Sequence, residues 1–140
     1  MELWERVRRI ADFMGLRLWS ITVVEKPEEE SDCHAKVKGA DAGHEATIEF
    51  FKSFYELDPH EQRRVIVHEC THCIFYPLDE SIEGYAAGVL HLVRKLDTGA
   101  EYAGEVLNEL YDELYTILRE RVVDQVARII NDAAELGLSR

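Results

Sequence analysis

Residues 58–77 read DPHEQRRVIVHECTHCIFYP, and the organisation of the chain follows from how this stretch folds. Asp58 is a capping residue, Pro59 suits the first helical position and Glu61 the third, so a helix is expected to begin at Pro59. The ring of Pro77 is incompatible with a continuing helical interior, which predicts a stop after about Tyr76. Val65, Ile66, Val67, Cys70, Ile74 and Phe75 point in different directions, as in a helix buried at the centre of a protein. In its middle stands His68-Glu69-Cys70-Thr71-His72, the pattern H-E-x-x-H. Histidines four residues apart differ by about 40° around a helix, so both imidazoles can reach one metal ion from the same face. Glu69 lies about 60° beyond His72 on that side, close enough to meet a water at the metal without occupying it. A catalytic zinc then needs a third protein ligand and an open fourth position. Histidine and glutamate left unpaired in an apolar helix would cost about 1–3 kcal/mol each, so something must compensate them. Pairing with surrounding carboxylates, without a metal, is the competing explanation.

Working outward, Leu3, Val7, Ile10, Ala11 and Met14 recur at helical spacing and predict a helix from Glu2 to Met14, with Gly15 as its stop. Leu16 to Glu25, Cys33 to Lys38 and His44 to Phe51 carry strand composition, the last two joined by the turn-rich Gly39-Ala40-Asp41-Ala42-Gly43. In the last strand Ala46, Ile48 and Phe50 are expected on one side and Thr47, Glu49 and Phe51 on the other. Trp4 and Trp19 are expected in the core. Beyond Pro77, Asp79 and Ser81 open a further helix to about Leu96, broken by Asp97-Thr98-Gly99. Ala100 to Leu136 reads as helix almost throughout, in one or two pieces. Its apolar line passes from Leu107, Leu110, Leu114 and Leu118 to Val123, Val126, Ala127 and Ile130, changing phase near Glu120. The fold class this predicts is α+β: one domain over residues 1–140, with a small three-stranded sheet packed against a mainly helical body.

The 140 residues, 46% hydrophobic and 31% charged, have the balance of a folded globular protein. A net charge of −12 argues against general affinity for nucleic acid phosphates or anionic lipid. The longest charge-free stretch, Gly84 to Val93, has ten residues, about half of what a membrane-crossing helix needs. Met1 to Ile10 mixes charges into its apolar residues unlike a secretion signal, and three irregularly spaced cysteines suit a reducing compartment, so a cytoplasmic location is expected. Cys70 faces away from the two imidazoles and reads as a small buried hydrophobe, not as half of a redox C-x-x-C pair. Cys33-His34 reads as strand packing in preference to a second metal site.

Of the eight glutamates after His72, only Glu120 has an aspartate four residues later, Asp124. A fourth-position partner shares the same helical side, so Glu120 can act as the oxygen ligand while Asp124 accepts the N–H of a ligating histidine. The alternative makes Glu120 part of a solvated charge cluster, Arg119-Glu120-Arg121.

His68-Glu69-Cys70-Thr71-His72 followed by Glu120-Arg121-Val122-Val123-Asp124 resembles the gluzincin metallopeptidases, particularly the short single-domain minigluzincins. The elements also fall in the order that family requires, giving a zincin-like fold around a central H-E-x-x-H helix. Arg119 stands where the family often has asparagine, and a whole extra helix separates the two motifs. The resemblance implies zinc held by His68, His72 and Glu120, Glu69 as general base, and Asp124 supporting a histidine. It implies a peptide or protein substrate, docked as an added strand on a sheet edge for which His44 to Phe51 is the candidate. The implied chemistry is zinc-assisted amide hydrolysis, with Tyr76, Tyr85, Tyr102, Tyr111, Tyr115 and His91 all available to stabilise an oxyanion. Two other functions fit the same residues: a non-catalytic interaction module with a structural H-E-x-x-H helix, and a zinc hydrolase acting on a non-peptide amide.

Overall fold

The computed structural model describes residues 1–40, 43–96 and 100–138. The elements run α1 (Leu3–Phe13), β1 (Ser20–Lys26), β2 (Ala35–Lys38), β3 (Glu45–Phe51), α2 (Lys52–Tyr55), α3 (Pro59–Leu96) and α4 (Ala100–Leu138). They form an α+β protein with one three-stranded sheet of order β1-β3-β2. β3 pairs parallel with β1, Val23 opposite Ile48, and antiparallel with β2, Val37 opposite Ile48. Among the described residues no helix is long and apolar enough to cross a membrane.

By contact density the chain divides into two compact units, residues 1–76 with 123–140, and residues 77–122. The first holds the sheet and the core. Leu3, Val7 and Ala11 of α1, Ala46, Ile48 and Phe50 of β3, Phe54 of α2, and Ile66, Cys70 and Cys73 of α3 bury together. The periodicities of the α1 stripe and of the inner β3 face account for this cluster. Arg8 ties the end of α1 to the approach of β1, donating to the carbonyls of Leu16 and Trp19 at 2.7 and 2.8 Å. Asp58 caps α3, its Oδ1 accepting from the backbone N–H groups of His60 and Glu61 at 2.8 and 3.0 Å.

The second unit is helical, comprising the later part of α3 and the earlier part of α4. Within it Tyr111 and Tyr115 stack in parallel with ring centroids 5.5 Å apart, and the Arg119 guanidinium lies over the Tyr115 ring.

Several expectations need correction. α3 does not stop at Tyr76; it continues through Pro77 to Leu96. Proline removes one hydrogen bond and crowds the preceding turn, a local cost of about 3 kcal/mol that flanking helical turns can absorb. The division between the units nonetheless falls at Pro77. Trp4 is 57% exposed, because it stands about 100° from the buried stripe of α1. The outer positions of β3 are covered too: Glu49 and Phe51 are buried, with the Lys26 ammonium 3.2 Å from Glu49 and above the Phe51 ring. β3 is central and paired on both sides, so it offers no free edge for an added strand. Asp41, Ala42 and residues 97–99 lie outside the described residues, as do the side chains of Tyr85 and Tyr102.

Candidate metal centre and adjoining cavity

Within the first unit, α3 and the last turns of α4 run antiparallel, as two cross-links show. Arg63 Nε donates to Oδ1 of the buried Asn131 at 3.1 Å, and His68 Nδ1 meets Asp124 Oδ1 at 2.9 Å. Moving up α3 by five residues thus means moving back along α4 by seven. The face of α4 turned inward is the one carrying Val123, Ala127 and Asn131, all buried. Asp124 lies beside this line with its carboxylate partly in solvent.

The Asp124 contact fixes the chemistry of His68. A carboxylate accepts, so Nδ1 carries the proton and Nε2 of a neutral His68 presents its lone pair. That Nε2 faces Nε2 of His72 at 3.2 Å, with the rings edge to face. Two nitrogen ligands at zinc distances of 2.0–2.1 Å and a tetrahedral angle stand about 3.3 Å apart. The donor pair therefore has the spacing that one tetrahedral cation requires, and its nitrogen chemistry suits zinc, copper or nickel better than magnesium or calcium.

Glu69 follows His68 on α3 and is buried, only 6% exposed. Its Oε2 accepts the backbone N–H of Val37 at 3.0 Å. Val37 lies on β2, an edge strand of the sheet, so the edge turned towards the centre is β2. Glu120 stands one turn before Asp124 on the same continuous helix α4 and is half-exposed, with Arg119 Nη2 3.6 Å from its Oε1.

A cavity of about 280 Å³ adjoins His68 and Glu69. α3 lines it with Glu61, Arg64 and His68, α4 with Asp124 and Arg128, and residues 33–35 close it from the approach to β2. Cys33 and His34 thus border the cavity; His34 Nδ1 is 2.9 Å from Ser53 Oγ, and neither joins a second cluster of three potential metal ligands among the described residues. All three cysteines are free. Burial pushes the Cys70 thiol far up, and burial aided by the charge of Glu69 raises Cys73 to about 11, so both behave as small hydrophobes.

Three participants escaped the sequence reading. Arg64 and Arg128 had a usable signal, since each stands four residues from a motif position, His68 and Asp124 respectively. The Val37 N–H had none, because a backbone donor on a sheet edge becomes visible only once register is known. Comparison of the chain with protein-family models, curated proteins and solved structures finds no match.

Proposed function

We propose that this protein is a zinc-dependent peptidase of gluzincin type, with His68, His72 and Glu120 as metal ligands and Glu69 as general base. The observation that carries the reading is the 3.2 Å approach of the two Nε2 atoms, with Asp124 holding the far side of His68. One observation supports Glu120: His68, His72 and Glu120 are the three ligand-type side chains suited to a single cation among the described residues.

When bound, zinc supplies an acidified water and a polarised carbonyl. The chain supplies the proton traffic. The Val37 N–H anchors the Glu69 carboxylate through Oε2. Glu69 takes the water proton and returns it to the leaving amine. Asp124 holds His68 in the tautomer whose Nε2 is a ligand. The β3 edge expected from sequence to receive an extended peptide is paired on both sides, and on the outer edge of β2 the Val37 N–H is committed to Glu69. Free, mostly buried thiols agree with a cytoplasmic setting.

The same 3.2 Å contact favours a second reading, in which His72 donates Nε2–H to His68 and the pair is structural. One experiment separates them. Purified protein should carry about one zinc per chain, and Glu69→Gln should keep that zinc while peptide hydrolysis falls by about 10²–10⁴-fold. A metal-free, folded protein supports the structural pair. Cleavage at the wild-type rate by Glu69→Gln removes the general base.

A further inference from the structure

Resting on the peptidase reading, the inference concerns which peptides the site accepts. We infer that the cavity beside His68 is a carboxylate subsite, in which Arg128, with Arg64 opposite, binds an acidic group of a peptide lying one or two residues from the bond at the metal.

The charges lining the cavity are mostly committed. Glu61 holds Arg64, with Nη1 2.9 and 3.1 Å from its two carboxylate oxygens. Asp124 is bound to His68 and Glu69 to the Val37 N–H. Arg128 lines the cavity with no hydrogen bond or ion pair among the described residues. In a chain of net charge −12, Arg128 is thus the charged side chain of this lining that keeps all its donors for a ligand.

Register puts the second arginine in place. Arg64 is one turn before His68 and Arg128 one turn after Asp124, so in antiparallel helices the two stand level. Four residues of helix rise about 6 Å, and an extended peptide spans that distance in about two residues. A guanidinium fork matches a planar carboxylate bidentately, and both arginines retain N–H donors for it. Ala35 and Ala127, small residues in the cavity wall, leave room for the short apolar stem behind such a group. The acid can be an Asp or Glu side chain or a C-terminal carboxylate, since their chemistry is shared.

The test uses the full chain carrying Glu69→Gln, so that binding is read without cleavage. Fluorescein-labelled hexapeptides with one aspartate, or asparagine in its place, each as C-terminal acid and amide, are titrated by anisotropy with one equivalent of zinc. The acidic peptides should bind at least tenfold more tightly than their neutral twins, and added Arg128→Ala should erase that preference while leaving neutral peptides unchanged. Selectivity for aspartate over asparagine assigns the subsite to side chains; selectivity for acid over amide assigns it to chain ends. Equal affinity for all four peptides, no binding of any, or a uniform loss in Arg128→Ala overturns the inference. Wild-type protein that never cleaves but still prefers acidic peptides defeats the peptidase reading alone.

Discussion

Asp124 meets Nδ1 of His68 at 2.9 Å, and that contact decides which nitrogen looks towards His72. A neutral imidazole that carries its proton on Nε2 instead presents no lone pair there. Removing such an orienting carboxylate typically weakens metal binding 10–100-fold. Asp124→Ala should therefore lower zinc affinity by about that factor in competition with a chromophoric chelator, while the exposed position leaves thermal stability of the metal-free protein nearly unchanged. Unaltered affinity would mean that His68 is oriented by something else. This much of the candidate site was legible in the sequence, because positions four apart on a helix share a face whatever the helix packs against. His68, Glu69 and His72 needed only the α3 period, and Asp124 only its spacing from Glu120. What a single helix cannot encode is its neighbour across space, which is why the Val37 donor went unseen.

At the scale of elements, β3 shows both the reach and the limit of local pattern. Its inner positions Ala46, Ile48 and Phe50 are buried as alternation predicts, and the glycine-rich link does join it to an antiparallel β2. Its central place was hidden because the pairing with β1 is parallel and bridges distant sequence, which no local signal records. Centrality also explains the buried Glu49, which sits on the outer face between Lys38 at 2.7 Å and Lys26 at 3.2 Å. Lys38 above all, with Lys26, holds the Glu49 carboxyl below its ordinary value of 4.5, and Glu49 in turn raises Lys26. A carboxyl depressed on folding stabilises the native state above its unfolded pKa and loses that contribution as pH falls through the folded pKa. The melting temperature of the wild type should consequently exceed that of Glu49→Gln above about pH 5, with the gap closing as pH falls below 4.5. A gap that is constant with pH would show that the two lysines contribute nothing through charge. α3 teaches the opposite lesson about local rules, for Pro77 marks the boundary between the units without ending the helix.

For the molecule as a whole, a charge of −12 attracts every divalent cation weakly, whereas a built site selects one. Linkage gives a sharper criterion. A cation that binds only the folded chain stabilises it by about 2.7 kcal/mol at one hundred times its dissociation constant. For a domain of this size that corresponds to a rise of roughly 5–10 °C in melting temperature. Zinc in slight molar excess should produce such a rise, and a chelator should reverse it. Magnesium at the same concentration should leave the curve within about 1 °C, because an imidazole pair offers a hard oxygen-seeking ion little. His72→Ala carries the decisive comparison, since it removes one nitrogen of the facing pair while the His68 contact to Asp124 stays in place. The variant should melt like the chelated wild type and gain no more from zinc than from magnesium. If zinc still raises its melting temperature by several degrees, the stabilising ion sits elsewhere on the acidic surface, and the two facing imidazoles are a structural pair.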